Sequence, residues 1–531
     1  MKQYLYIRTN VATQNPAPTS ESVGGAKHWA VALGIFALVA FGQLLTGTAV
    51  AFVGYTFAFL LLNFITFRIV GGFKTILGAC VALLATQHVL AGQVAKIFLR
   101  QPGDEIIYSP YSTYNVYMLG SLGLLAGALL YKVLKFDRLK PVLPNLTDAR
   151  ALLYSALVLC VLSVFRIVYV VVFGVIDQGG LEVGGFVGIL RQFHFVQYAA
   201  IAFSTAHTIV ASGGKRSISS LVVISVAFGV LSGWAYGVRL DMVWSFLTYV
   251  ITVLSFRMKL RLPFYIFVVV AVVVFRYYLS PYALAARNEI RVGSIEQRIS
   301  RAASLAVEVL EDRERFERMY AQQTEFYPEP DRVRFHYFRH PNNLLERFAL
   351  INWASSVVHR TDAEGTQGGD RISHGWKMLV PRAINPDKPF IKTGNALGHA
   401  GIGLVNYADF FTPITIGWYV DIYNCHGSGA VFIGALLVML GYGIVFRVVA
   451  NTVFDQNVYV ISVTYFATQL FSESPIASII IFLCQDMVLF LVTMSLMRLT
   501  TNLMTKRGKN ATHLYERQRG LGTVVTPDTR P

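Results

Sequence analysis

The chain has 531 residues, of which 54% are hydrophobic and only 14% are charged. A soluble globular protein carries about a quarter charged residues, so the composition excludes that class and indicates an integral membrane protein. The formal net charge is +16, but the basic residues stand beside apolar segments, where they report membrane topology rather than nucleic-acid binding.

Twelve apolar segments each have a length suited to crossing a bilayer as a helix, about 20 residues. They lie at 30–47, 49–67, 74–93, 115–134, 152–176, 190–211, 217–236, 241–256, 262–280, 427–449, 457–472 and 476–498. We therefore predict an all-α integral membrane protein with about 12 transmembrane helices. The polar stretch before the first segment lacks the pattern of a cleaved signal peptide, so the first span is expected to remain as an anchor.

Lysine and arginine are concentrated in every second turn between these segments, and this bias predicts an even number of spans with both termini in the cytoplasm. Lys96 and Arg100 are the main exceptions, because they lie in a turn predicted to face outwards. The expected organisation is a cytoplasmic N-terminus (1–29), transmembrane helices 1–9 (30–280), a large helical extracytoplasmic loop domain (281–426), transmembrane helices 10–12 (427–498) and a basic cytoplasmic tail (499–531).

The long loop is predicted to be a folded and functional part of the protein, because idle connectors of this length are uncommon. Apolar residues recur at helical spacing from Ile295 to Tyr320, and a second helix is expected at about 342–359. From about residue 361 the abundance of Gly, Asp and Pro predicts a loop. The aromatic stretch 335–338 is expected to form a core or interfacial patch, with stacking on sugar rings as the alternative.

Cysteine and metal-ligand patterns give little signal. The four cysteines have no paired spacing, which predicts neither a disulfide framework nor a zinc site; they are Cys80, Cys160, Cys425 and Cys484. No paired-aspartate motif or histidine cluster suggests a divalent ion. We therefore expect no metal and no cofactor.

The stretch from Met378 to Gly429 concentrates prolines, glycines and polar side chains where the chain approaches the tenth span. Such residues are costly at membrane depth unless they line a cavity or a site. Three elements stand out: Pro381-Arg382, Lys388-Pro389, and the run from Asp421 to Gly427. The stretch is therefore the first candidate for a functional site.

These elements resemble those of bacterial polysaccharide polymerases of the Wzy type, in the O-antigen polymerase and ligase superfamily. Gly237-Val-Arg239, at the outer end of a span, is a second point of likeness. Asn385-Pro386 and His426 depart from the family's pattern. The resemblance implies a fold similar to the glycosyltransferase C (GT-C) class and metal-independent transfer of a glycan from undecaprenyl diphosphate. It also implies the bacterial inner membrane and, as partners, lipid-linked oligosaccharide and the flippase and chain-length regulator of the same pathway.

Arginine suits a diphosphate because its planar, permanently charged fork bonds phosphate oxygens in pairs. Candidate residues for binding the diphosphate or glycan are Arg239, Arg382, Lys388, Arg191, Arg347, Tyr423 and Asn424. Alternatives stay open for five of them. Arg382 and Lys388 could lie in an ordinary turn. Arg239 could pair locally with Asp241, Arg191 could form an interfacial pair with His194, and Arg347 could lie on a solvated helix face. Arg166 and Arg276 lie deep in spans and are candidates by position.

The base that accepts the proton of the acceptor hydroxyl is expected among a few side chains. The catalytic candidates are His426, His399 and Asp421, with His374 and Asp409 as further possibilities. Asp421 could equally hold a tyrosine or an arginine in place. Taken singly, a histidine of this kind is more often structural than catalytic.

Two other functions remain open. An O-antigen ligase would share the fold and the donor but would transfer the glycan to a core lipid. A polysaccharide-lipid flippase or transporter would be expected to show related halves, whereas this chain has nine spans, a loop and three spans, without an evident repeat.

Overall fold

The computed structural model describes residues 26–173, 192–236, 239–258, 260, 262–289, 295–312, 314, 336–339, 343–346, 348–380 and 416–521. No β-strand occurs in these ranges, apart from two isolated bridges. The helices are α1 (Ala26–Leu45), α2 (Val50–Ile69), α3 (Ile76–Phe98), α4 (Pro110–Val133), α5 (Ala149–Phe173), α6 (Phe195–Ala211), α7 (Ser220–Tyr236), α8 (Arg239–Ser255), α9 (262–289), α10 (Ile295–Glu311), α11 (Asn343–Glu346), α12 (Ile351–Glu364), α13 (Asp370–Lys377), α14 (Trp418–His426), α15 (Ser428–Val449), α16 (Val458–Glu473) and α17 (476–521). Short π-helical turns interrupt α3, α9 and α17 at Thr86–Leu90, Phe275–Leu279 and Phe482–Asp486.

Within the described ranges, each of the twelve predicted apolar segments forms a helix, and eight of these helices are long and apolar enough to cross a membrane. The prediction of a multi-pass, all-α membrane protein is therefore confirmed. The other four, α6, α7, α8 and α16, have 17, 17, 17 and 16 residues. At 1.5 Å per residue they are about 25 Å long, close to the thickness of a hydrocarbon core of roughly 30 Å. Most side chains of α6 and α16 are buried, because other helices enclose this central pair.

Several turns meet at one end of the helix bundle, which we call the basic end. Phe454 N–H donates to Lys74 O at 2.9 Å, and Val142 N–H donates to Val448 O at 2.8 Å. Arg257 pairs there with Asp455 at 2.6 Å. These are turns that the lysine and arginine pattern places on one side of the membrane.

Helices α10–α14 belong to the long loop, and we call the end of the bundle at which they pack the loop end. There, Lys96 Nζ donates to Pro102 O at 2.9 Å and Glu105 O at 2.6 Å, and lies 4.1 Å from the centroid of the Tyr337 ring. Tyr337 and Phe338 are buried, as expected of a core patch. Lys96 is fully buried as well. This exception to the charge pattern is therefore a buried hydrogen-bond donor and not a charge in an open loop.

The second loop helix differs from its prediction. Instead of one helix at 342–359, α11 and α12 are separate helices, and residues 348–350 between them are not helical. The break is held by tertiary contacts: Glu346 accepts the N–H of Tyr337 at 2.9 Å, and Leu350 N–H donates to Gln87 O at 3.1 Å. The predicted loop beyond residue 361 is also wrong in part, because α12 continues to Glu364 and α13 and α14 follow.

Candidate functional site

Helix α14 begins inside the bundle and ends at the loop end, so it does not cross the bundle. Its first residue, Trp418, donates from Nε1 to Phe471 O at 2.7 Å, inside the bundle. The Tyr419 ring packs on Gly120, where an added Cβ would lie 2.7 Å from the ring. Gly120 lies ten residues, or about 15 Å, from the loop end of α4. Because His426 at the other end of α14 is exposed, α14 runs from inside the bundle to its surface.

Gly417, just before α14, is fixed by its neighbours. Its φ is +86°, and an added Cβ would lie 2.6 Å from the His88 ring. The His88 ring bonds Ser472 O at 2.7 Å through Nε2 and the Tyr117 hydroxyl at 2.8 Å through Nδ1. A carbonyl oxygen only accepts, so Nε2 carries a proton that it donates to Ser472. His88 thus packs against the inner end of α14 and helps to fix its position.

Arg371 on α13 is the centre of a polar cluster that includes α14. Its Nε donates to Asp421 Oδ1 at 3.3 Å, its Nη2 donates to Asn424 Oδ1, and its Nη1 donates to Gln367 Oε1 at 2.9 Å. The second carboxylate oxygen of Asp421 accepts the N–H of Ile476 at 3.0 Å. Burial raises the pKa of Asp421, whereas the Arg371 guanidinium and the Ile476 N–H act in the opposite direction. Asp421 therefore joins α13, α14 and the start of α17.

Three further residues from the predicted site lie on α14. Asn424 Nδ2 donates to Thr361 at 2.8 Å, and the Tyr423 hydroxyl donates to Asp362. His426 is exposed, and its imidazole lies over Gly369. Asp421, Tyr423 and Asn424 thus bind protein groups, and of the two alternatives for Asp421 the geometry fits an anchor for an arginine. Of the two catalytic candidates within the described residues, His426 is exposed and Asp421 is buried.

A second polar cluster lies among the spans, in the half of the bundle nearer the loop end. Arg166 Nη1 donates to Gln197 Oε1 at 2.8 Å. Asp241 accepts hydroxyl hydrogen bonds from Tyr198 at 3.1 Å and Tyr465 at 3.3 Å. Because Gln197 and Tyr198 are consecutive residues of α6, Arg166 and Asp241 belong to the same cluster. The predicted Arg239–Asp241 pair involves a side chain outside the described residues.

Helix α16 connects the two clusters. Tyr465 lies in the cluster among the spans, and Glu473, eight residues or about 12 Å further along the helix, lies beside α14. Gln87 Nε2 donates to Glu473 Oε1 at 2.6 Å, and Gly417 N–H donates to Glu473 O at 3.2 Å. Helix α16 therefore carries a polar side chain in each of the two clusters.

The remaining predicted positions are not tested by these contacts. Arg191, Arg347, Arg382, Lys388, His399 and Asp409 lie outside the described residues, and of Arg239 and Arg276 only the backbone is described, at the start of α8 and in the π-helical turn of α9. Arg371 was not among the predicted site residues, because its Gly-rich surroundings predict a loop. Ile372, Trp376 and Val380 recur at a spacing of four residues, and this periodicity is the signal that could have predicted α13.

Comparisons with protein-family models, with curated proteins and with solved structures find no match to this chain. Within the described part of the chain, no group of three or more His, Cys, Asp or Glu side chains is arranged to hold a metal ion.

Proposed function

We propose that this protein polymerises lipid-linked oligosaccharide repeat units. It would transfer a glycan from a polyprenyl-diphosphate donor to a sugar hydroxyl of the acceptor, at the loop end of a GT-C-like bundle of 12 spans. The loop end would face the periplasm of a bacterium, with both termini in the cytoplasm. The lipid-linked oligosaccharide, a flippase and a chain-length regulator are the proposed partners.

The main support is the position of Arg166. A guanidinium among membrane helices is expensive and is a functional-site candidate by default. Arg166 lies in the loop half of the bundle, and its neighbour Asp241 is in the first turn of the helix that Arg239 opens. A fixed cation at this depth matches the place of a diphosphate whose lipid tail remains in the bilayer.

The chemistry needs cations where negative charge develops and a base for the acceptor. The acceptor oxygen attacks the anomeric carbon, the bond from that carbon to the diphosphate oxygen breaks, and polyprenyl diphosphate leaves with the electron pair. Arg166, with Arg239, Arg382 and Lys388, would stabilise that charge. His426 is the preferred acceptor of the hydroxyl proton, because Asp421 is committed to Arg371 and Ile476.

The test is reconstitution of the purified protein in vesicles with a polyprenyl-diphosphate repeat unit. We expect a ladder of products from the wild-type protein and from Arg257→Gln, whose ion pair lies at the basic end. Arg166→Gln should reduce the rate at least about tenfold, since each 1.4 kcal/mol of lost transition-state stabilisation is a factor of ten. A missing ladder contradicts the proposal. Glycosylation of added core lipid instead would favour a ligase, and lipid scrambling without product would favour a flippase.

A further inference from the structure

Helix α13 is fixed to the first turn of α17 by direct backbone contact. An added Cβ at Gly375 would lie 2.9 Å from Ala477 Cα and 3.1 Å from Ala477 Cβ, so only glycine allows this approach. On the same helix, Arg371 binds Asp421 and Asn424. The level of α13 relative to the membrane therefore follows from the level of Ala477.

That level can be measured along α17. Arg498 Nη1 donates to Val142 O at 3.5 Å, at the basic end. Ile476 lies 22 residues earlier, which is about 33 Å along a helix. The neighbouring helix α16 has 16 residues and ends beside Ile476, which gives about 24 Å from the same end. A hydrocarbon core of roughly 30 Å thus has its second boundary close to Ala477 and Gly375.

The side of α13 that faces away from the protein exposes large apolar side chains, whose contact with water is unfavourable. Trp376 is 56% exposed, Val380 just beyond the helix is 38% exposed, and Lys377 is exposed between them. Tryptophan is enriched at membrane interfaces, where its ring sits at headgroup level, and lysine extends its ammonium towards the headgroups. Helices of this kind lie in the plane of the interface, with apolar side chains about 5–10 Å into the boundary.

We propose that α13 is an interfacial helix whose exposed face, formed by Trp376, Lys377 and Val380, is covered by lipid of the leaflet at the loop end. This proposal is independent of the proposed enzymatic function. The exposed face of α13 continues the lipid-facing surface of α17, on which Val488, Val492 and Leu496 are exposed. Because Arg371 lies on the same helix, lipid contact at Trp376 supports the position of the Asp421 cluster.

The test is the collision of dissolved reagents with a nitroxide attached at Trp376→Cys in vesicles of phosphatidylethanolamine and phosphatidylglycerol. The background is Cys484→Ser, since Cys484 is the exposed native thiol and Cys80, Cys160 and Cys425 are buried. Oxygen partitions into lipid, whereas a nickel chelate remains in water.

The controls are Glu364→Cys at the exposed end of α12 and Val492→Cys on the exposed face of α17. We expect the oxygen-to-nickel ratio at position 376 to be several-fold higher than at 364 and to approach that at 492. Lys377→Cys provides a second reporter if Trp376→Cys does not fold. A ratio equal to that at 364 overturns the proposal. Low collision with both reagents also overturns it, because another part of the protein would then cover the face.

Discussion

At the scale of single residues, Asp421 is a catalytic candidate in the sequence, but in the fold its carboxylate anchors the Arg371 guanidinium. The sequence places it beside a tyrosine, an asparagine and a histidine, as in a site. The structure buries it, with 1% of its surface exposed, and supplies the Arg371 guanidinium and the Ile476 N–H as partners. The local sequence around Asp421 does not identify Arg371 as its partner, because Arg371 lies 50 residues earlier.

Loss of Arg371 should destabilise the protein strongly. Arg371→Ala leaves the buried Asp421 charge uncompensated, which typically costs about 3–5 kcal/mol, and adding Asp421→Asn should recover part of that loss. The control is Arg360→Ala, whose i,i+4 pair with Glu364 is largely exposed and should contribute about 1 kcal/mol or less. Thermal unfolding in detergent measures all three. Equal effects of Arg371→Ala and Arg360→Ala would contradict the anchor role.

Gly417 offers a test that separates backbone strain from steric overlap. Gly417 and Gly365 share a φ of +86°, but an added Cβ meets the His88 ring at 2.6 Å only at Gly417, and nothing within 4 Å at Gly365. Gly365→Ala should therefore show the strain alone, about 1–3 kcal/mol. Gly417→Ala should cost clearly more and should displace the inner end of α14. Similar melting temperatures for the two variants would show that α14 does not pack as described.

At the scale of elements, the positions of the long apolar helices were predictable from the sequence, and those of the loop helices were not. Apolar segments of about 20 residues can hardly satisfy their backbone at membrane depth except as helices, so each of the twelve segments forms one. The start of α12 depends instead on Gln87, which is distant in sequence, and the end of α11 depends on Tyr337, which lies outside both helices. The position of α14 likewise depends on contacts with Gly120 and Phe471, which are far from it in sequence. Local sequence cannot supply such partners.

The attachment of residues 336–339 to the loop end should depend on the Tyr337 hydroxyl. Tyr337→Phe leaves the Gly103 carbonyl, now bonded at 2.7 Å, and the Gln93 amide without that partner, at a cost of about 1–3 kcal/mol for buried groups. We expect faster amide hydrogen exchange in residues 99–109. Tyr111→Phe is the matched control, because Tyr111 is 43% exposed, and its exchange should match that of the wild-type protein. Unchanged exchange in Tyr337→Phe would refute the attachment.

At the scale of the whole molecule, alternation of charge along the chain anticipates which turns come together. The turns joined by Lys74–Phe454, Val142–Val448 and Arg257–Asp455 meet at one end, and the loop helices pack at the other. The sequence could not show that Tyr198 of α6 and Tyr465 of α16 both donate to Asp241 of α8, or that Arg166 of α5 donates to Gln197, next to Tyr198. Residues such as Arg166 are found by their depth in a span, but their partners are set by helix packing.

The proposed function requires the loop end to face away from the cytoplasm, where a lipid-linked glycan would meet its acceptor. Labelling of single cysteines in intact cells with a membrane-impermeant maleimide tests this directly, in the Cys484→Ser background. We expect Glu364→Cys at the loop end to be labelled in intact cells. Lys215→Cys, in the exposed turn between α6 and α7 at the basic end, should be labelled only after lysis. The reverse pattern would place Arg166, Arg371 and His426 at the cytoplasmic face and would contradict the proposed function.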